Sequence, residues 1–134
     1  GDVDSLHYPQ SEINYLFLHK KAMTFIQKEI RKNSALFYEI CRSHGIKSLY
    51  AFGSSISNRF DPIKSDIDLL VEMEEMDPLE KGEKLLALWD RLEAFFHRKV
   101  DLLTRKALKN PFLVESINQT KVLLYDNQRK EVLV

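Results

Sequence analysis

The sequence has little of what would point to a redox centre, a membrane or a secreted protein. It contains one cysteine, Cys41, so neither an internal disulfide nor a cysteine-based zinc site is expected. Cys41 follows the apolar run 35–40, which favours a buried structural thiol over a nucleophile. The longest apolar runs, such as 85–89, are far too short to span a bilayer. Because the N-terminus shows no basic stretch followed by an apolar one, we expect a cytoplasmic protein with no membrane partner.

An excess of charge of either sign is also missing. Twenty basic and twenty acidic side chains cancel, so the protein has no global field that would attract nucleic acid or an anionic membrane. Nucleic acid is therefore an unlikely partner, although a local basic patch stays open as an alternative. A chain of 134 residues, of which 44% are hydrophobic and 30% charged, is typical of a globular protein with a core of its own.

The first third of the chain has a helical pattern. Apolar residues that recur every seven positions predict a helix over residues 11–32, and its apolar side chains fall on two sides. Either both sides are buried within the monomer, or one side binds a partner or a second copy as a homo-oligomer. Ser34 and Gly45 are predicted as the N-cap and the C′ residue of a second helix over 34–44. We divide the chain into an N-terminal helical extension, 1–33, and a domain, 34–134.

Strands and helices alternate in the remainder of the chain. Strands are predicted at 46–52, 66–73 and 99–104, and an edge strand at 122–125. A short helical turn is predicted from Ser54, a loop over 58–65, a long helix from Asp77-Pro78 and a short helix over 111–118, with a tail after the last strand. This order predicts an α+β fold of two layers, in which helices pack on a small mixed β-sheet.

Three aspartates carry the chemical signal. Asp66 and Asp68 are two residues apart in a predicted strand, so their carboxylates lie on the same side of it. Two carboxylates that close repel each other unless a cation lies between them, and hard oxygen ligands of this kind suit Mg²⁺. Asp101 adds a third carboxylate if its strand lies beside the first. Three carboxylates can hold two metal ions, which together stabilise an in-line phosphoryl displacement.

Gly53-Ser54, at the end of the first predicted strand, supplies a second signal. A glycine there lets the backbone approach a ligand, and the N–H groups of a following helical turn bind anions. The Ser54 hydroxyl can donate to a phosphate oxygen. A calcium-binding loop is excluded because no glycine follows the aspartates at the required place, and a phosphate-binding loop because no Gly-Lys-Ser/Thr follows Gly53. Each signal alone is weak, but their order along the chain is consistent with metal–phosphate chemistry.

The motifs together resemble those of the polymerase-β-like nucleotidyltransferase superfamily, above all its minimal, antitoxin-type members. The resemblance covers about residues 35–126 and is carried by Gly53-Ser54, Ser65-Asp66-Ile67-Asp68-Leu69-Leu70-Val71 and Arg98-Lys99-Val100-Asp101-Leu102-Leu103-Thr104. It implies the nucleotidyltransferase fold, with Asp66 and Asp68 as metal ligands and Asp101 as the third carboxylate, which helps to activate the acceptor. Gly53, Ser54 and Ser55 would bind the triphosphate. Ser55 departs from the family, in which an arginine often follows Gly-Ser, so one phosphate contact is missing.

The resemblance also implies an activity. The expected enzyme transfers a nucleoside monophosphate, AMP from ATP, to a hydroxyl acceptor with one or two Mg²⁺ ions. Minimal nucleotidyltransferases often act as antitoxins that modify a helical HEPN toxin, so a HEPN-type protein is the expected partner. Two alternatives remain open: a binding module that neutralises a partner by contact with little catalysis, and an enzyme that modifies a small molecule. Lys64, Arg98 and Lys99 flank the aspartates and are interpreted as solvated charges or phosphate contacts.

Overall fold

The computed structural model describes residues 24–53, 61, 64–129 and 131–132. Apart from a short last strand, its helices and strands follow the order that the sequence predicts. In chain order they are α1 (Thr24–Lys32), α2 (Ser34–Ser43), β1 (Ile46–Phe52), β2 (Ile67–Met73), α3 (Pro78–Phe96), β3 (Val100–Thr104), α4 (Pro111–Thr120), β4 (Val122–Asp126) and β5 (Glu131–Val132). A 3-10 turn, Arg105–Ala107, joins β3 to the segment before α4.

The strands form one mixed sheet in the order β3-β2-β1-β4-β5. β2 and β3 are parallel and are connected through α3, whereas β1 pairs antiparallel with both β2 and β4. A parallel pair needs a crossover of this kind, because a tight turn can join only antiparallel strands. The predicted α+β fold with a small mixed sheet is therefore confirmed.

The main core lies between one face of this sheet and the helices. Leu88, Leu92 and Phe96 recur every four residues on α3 and are almost fully buried, so they form the stripe that faces the sheet. Alternate residues of β2 meet them, since successive side chains of a strand point to opposite faces. These β2 residues, each 0% exposed, are Ile67, Leu69 and Val71.

The described part of α1 belongs to this core. Ile26 and Ile30 are both 0% exposed, and Phe25 packs against the same cluster. Spaced four residues apart, the two isoleucines form one continuous apolar face that the domain itself covers. That face is therefore buried within the monomer and is not a docking surface. Residues 11–23 of the predicted helix lie outside the described residues, and the boundary proposed at residue 33 stays a prediction.

The opposite face of the sheet has a smaller apolar cluster. Phe52 and Leu70 lie on this face with Ile117 of α4 packed against them. The middle of β2 is therefore buried on both faces of the sheet, with Leu70 on this face. Asp68, near the start of the strand, is only half-buried. This second face is the one that carries the predicted aspartates.

Helix ends follow the predicted signals with one exception. Asp77 caps α3, since its Oδ2 accepts from the Leu79 N–H at 3.1 Å, and Gly45 takes a positive φ of 68° after α2. The N-cap of α2 is Asn33 and not Ser34, which is already the first helical residue. The Asn33 C=O accepts from the Phe37 N–H at 2.9 Å, so the N-cap lies one residue earlier than predicted.

Two predictions about the end of the chain are wrong. The strand predicted as an edge, β4, lies inside the sheet between β1 and β5, and β3 is an edge strand instead. The tail contains β5, which pairs with β4 through Tyr125↔Val132 and Asp126↔Glu131. A turn over residues 127–129 reverses the chain between them, and such a short strand leaves almost no periodic signal in a sequence.

Cys41 is buried, as the sequence predicts, and burial raises the pKa of its thiol far above the usual range. A thiol that stays protonated is a poor nucleophile, so Cys41 is structural. Among the helices that the structure describes, none has the length and apolar character needed to cross a bilayer.

Candidate active site

The pairing of β2 with β3 brings two of the predicted aspartates together. Asp68 and Asp101 are register partners in the parallel pair. The pairing of β2 with β3 before and after them contains no bulge. Neighbouring strands lie about 5 Å apart, and partners in register point to the same face. Asp68 is half-buried and Asp101 is exposed. The predicted proximity of these two residues is therefore observed.

Asp66 lies just before β2 and is exposed. The alternation of a strand places residues 66 and 68 on the same side, and the buried residue between them, Ile67, points into the main core. The prediction that Asp66 shares the side of the sheet with Asp68 and Asp101 rests on this alternation. Within the described ranges, however, no three His, Cys, Asp or Glu side chains form a group that could hold a metal ion as placed. The three-carboxylate arrangement stays a prediction.

Gly53 closes the site on the β1 side. It follows Phe52, the register partner of Asp68, and its φ of +64° belongs to the left-handed region that favours glycine. A methyl group at Gly53 would lie only 2.9 Å from Oδ2 of Asp68. The backbone of Gly53 and the Asp68 carboxylate are therefore in close approach, and the binding of a ligand by Gly53 stays a prediction. Ser54 and Ser55 lie outside the described residues, so their role stays a prediction.

The connection between α3 and β3 holds the backbone beside Asp66. Arg98 donates from Nη1 to the Ser65 carbonyl at 2.7 Å, and the Lys99 carbonyl accepts from the Ile67 N–H at 3.0 Å. Arg98 is also half-buried, with its guanidinium 4.8 Å from the ring centre of Phe25. Arg98 is thus a structural donor, and its interpretation as a solvated charge is wrong.

Sequence reasoning missed the residues that fix the start of β3. Trp89 donates from Nε1 to the Val100 carbonyl at 2.7 Å, and Glu93 accepts from the Val100 N–H at 2.9 Å. Trp89 is half-buried against the main core, and its ring nitrogen is used at this edge. A spacing of four residues on α3 places both side chains over one strand residue. That spacing was visible in the sequence, but the strand partner was not.

A separate charged group lies at the other end of the same sheet face. Glu72 is four residues along β2 from Asp68, which corresponds to roughly 13 Å. It contacts Arg105 at 3.5 Å, and Lys121 lies over the ring of Tyr50 at 4.5 Å. Burial and then the nearby Arg105 lower the pKa of Lys121, while Glu72 raises it.

Comparison with known families shows which family this chain belongs to. The model of the nucleotidyltransferase domain matches residues 34–124, which include Gly53 and all three aspartates. The chain belongs to the nucleotidyltransferase family. Two curated relatives from Methanocaldococcus jannaschii, each named "Putative protein adenylyltransferase", are 31% and 34% identical to this nucleotidyltransferase over 99 residues. Each alignment covers 74% of this chain and 94% of the relative.

Solved structures agree with the fold of this nucleotidyltransferase. One described as "Structure of putative minimal nucleotidyltransferase" has a TM-score of 0.51 and 27% identity, and the match covers 71% of this chain and 92% of that one. Another is the crystal structure of a toxin–antitoxin with AMP-PNP, with a TM-score of 0.50 and 22% identity over 72% of this chain and 76% of that one. The second likeness shows a shared fold alone.

Proposed function

We propose that this nucleotidyltransferase uses Mg²⁺ and ATP to transfer AMP to a hydroxyl group of a partner protein. The observation that carries the proposal is the row formed by Gly53, Asp68 and Asp101 across three strand ends on one face of the sheet. The names of the curated relatives, protein adenylyltransferases, favour ATP as the nucleotide donor and a protein as the acceptor. Cytoplasm, where ATP and Mg²⁺ are abundant, is the proposed location.

The donor groups in this row fit a divalent cation. Mg²⁺ usually takes one or two protein carboxylates and completes its shell with waters and substrate phosphates. Asp68 and Asp101 are register partners in adjacent strands and provide two carboxylates, and Asp66 is the proposed third. When bound, Mg²⁺ would neutralise charge on the phosphates and on the leaving pyrophosphate. A second Mg²⁺ ion fits the same proposal if the Asp66 carboxylate is a ligand together with those of Asp68 and Asp101.

The chain's own residues would then orient the reactants. Backbone groups at Gly53, where no side chain intervenes, approach the triphosphate, and Ser54 and Ser55 are the proposed hydroxyl donors beside it. The acceptor oxygen attacks the α-phosphorus, the bond from that phosphorus to the bridging α–β oxygen breaks, and pyrophosphate leaves. Asp101, at the exposed end of the row, is the proposed group that takes up the acceptor proton.

The proposed acceptor is a HEPN-type helical protein. A structural neighbour of this chain is a toxin–antitoxin complex with AMP-PNP, and the relatives named adenylyltransferases favour modification over simple contact. β3 lies at the edge of the sheet, so a partner can approach Asp101 from the side without displacing a strand. The competing hypothesis, neutralisation by binding alone, predicts inhibition of the partner by a variant that lacks the aspartates.

Transfer of the α-phosphate distinguishes these functions. The parent protein is incubated with Mg²⁺, a HEPN-type helical protein as the acceptor, and ATP labelled at the α- or the γ-phosphorus. We expect label on the partner from the α-position only, with release of pyrophosphate. Asp68→Asn should slow transfer by roughly 100-fold or more, since this loss corresponds to about 3 kcal/mol of transition-state stabilisation.

The matched control is Asp90→Asn, which removes an exposed carboxylate from α3. It should transfer label like the parent. Label from the γ-position would indicate a kinase and contradict the proposal. Full inhibition of the partner by Asp68→Asn, without any label, would instead favour the binding module.

A further inference from the structure

The two peptide groups that flank Asp66 are both held by the segment before β3. The carbonyl of Ser65 belongs to the peptide group on the N-terminal side of Asp66, and it accepts from Arg98 Nη1 at 2.7 Å. The N–H of Ile67 belongs to the peptide group on the C-terminal side, and it donates to the Lys99 carbonyl at 3.0 Å. Because both planes are fixed, the φ and ψ angles of Asp66 are fixed with them.

Arg98 is itself confined. Its guanidinium lies over the Phe25 ring at 4.8 Å, and the side chain as a whole is half-buried. Phe25 packs against the main core through α1, so the ring is a firm support for the cation. The hydrogen bond to Ser65 is charge-assisted, which makes it stronger than one between neutral groups.

The same segment continues directly into the strand of Asp101. Val100 is bonded on its outer side by Trp89 and Glu93 of α3, at 2.7 and 2.9 Å. Residues 98–101 therefore connect the contact with Ser65 to Asp101, and each residue before Asp101 makes a hydrogen bond that holds it in place. Through this segment the rigid helix α3 sets the position of the Asp66 backbone relative to the Asp68–Asp101 pair.

We propose that Arg98 is a positioning residue, which holds Asp66 in place for the cation and does not contact the nucleotide. The inference rests on the proposed function for the use that is made of Asp66. A phosphate contact is disfavoured because Nη1 is bonded to the Ser65 carbonyl and one face of the guanidinium is covered by Phe25.

The first test needs neither metal nor nucleotide. Amide hydrogen exchange of the metal-free protein is measured at Ile67 in the parent, in Arg98→Met and in the control Arg91→Met, which removes an exposed arginine of α3. We expect at least 10-fold faster exchange at Ile67 in Arg98→Met alone, because the peptide group before Asp66 is no longer held. Equal exchange at Ile67 in the two variants would contradict the role of Arg98.

The second test measures the affinity for Mn²⁺ alone by electron paramagnetic resonance. Outer contacts that orient metal ligands typically contribute 10- to 100-fold in affinity, so Arg98→Met should bind Mn²⁺ about 10- to 100-fold more weakly. Arg98→Lys, which retains a charged donor, should recover part of the loss. An Arg98→Met protein that is folded by circular dichroism and binds Mn²⁺ like the parent would overturn the proposal.

The variants also separate this inference from the proposed function. A parent protein that binds no Mn²⁺ contradicts the proposed function, while the exchange at Ile67 still decides whether Arg98 holds the backbone. If Arg98→Met does not fold, Phe25→Leu removes the support of the guanidinium and keeps an apolar side chain in the core. It should then weaken Mn²⁺ binding in the same direction, and parent-like affinity would overturn the proposal.

Discussion

Gly53 and Asp68 leave no room for a side chain between them. The φ of +64° at Gly53 strains any other residue, and a methyl group there would lie 2.9 Å from the Asp68 carboxylate. Both effects act at the residue that closes the candidate site, and neither is visible in the local sequence. A glycine at a strand end is therefore used here for its small size and for its conformation together.

Substitution of two glycines by alanine tests this account. Gly53→Ala should destabilise the protein by about 1–2 kcal/mol, because of the left-handed backbone, and should displace the Asp68 carboxylate. Gly82→Ala is the matched control, since Gly82 lies inside α3 and a methyl group there meets nothing within 4 Å. It should stabilise by about 0.5–1 kcal/mol. Urea denaturation measures both; an unchanged or more stable Gly53→Ala would contradict the strain argument.

The pair of carboxylates makes a prediction about stability without metal. Asp68 and Asp101 are directly opposite each other, and like charges in that position are unfavourable. Asp101→Asn should therefore melt at the same temperature as the parent, or slightly higher, in the absence of divalent ions. Added Mg²⁺ and ATP should raise the melting temperature of the parent and not of the variant. A large drop in the metal-free melting temperature would show that Asp101 has a structural role instead.

At this scale the sequence could predict that Gly53 and Asp68 and Asp101 lie close together but not which residues support them. The aspartates and Gly53 follow from residue type and alternation. Arg98 was predicted as a solvated charge because its partners, the Ser65 carbonyl and the Phe25 ring, are remote in the chain. Contacts between a side chain and a distant carbonyl have no periodic signal.

Among the elements, α1 and α3 determine the shape of the candidate site. α3 holds Val100 at the start of β3, while α1 supplies the ring beneath Arg98. Strand and helix positions could be predicted to within a residue or two, because caps such as Asp77 and breaks in periodicity are local. The order of the strands in the sheet could not be predicted. β4 lies inside the sheet because β5 pairs with it, and β5 is too short to recognise in the sequence.

A core substitution in α1 tests whether the helix belongs to the domain. Ile30 is 0% exposed, so Ile30→Ala should lower the free energy of unfolding by about 2–5 kcal/mol. The matched control is Leu36→Ala on α2, where the side chain is 44% exposed and the loss should be about 0.5 kcal/mol. Both are measured by chemical denaturation. Equal, small losses would mean that α1 is an extension that the domain does not need.

For the molecule as a whole, the candidate site is an acidic row on a protein without net charge. Twenty acidic and twenty basic side chains cancel, and on the same sheet face Arg105 contacts Glu72 and Lys121 lies over the Tyr50 ring. Two anions, the triphosphate and the carboxylate row, cannot approach each other closely without a cation between them. The account therefore requires that nucleotide binding depends on a divalent ion.

Isothermal titration calorimetry with a non-hydrolysable ATP analogue, in Mg²⁺ or in EDTA, tests this requirement most directly. We predict that Mg²⁺ strengthens binding to the parent by at least about 10-fold, which corresponds to about 1.4 kcal/mol. The gain should disappear in Asp68→Asn and in Asp101→Asn and should remain in Asp90→Asn. Equal affinity of the parent in Mg²⁺ and in EDTA, or an undiminished gain in both site variants, would contradict the assignment of this row as the metal–nucleotide site.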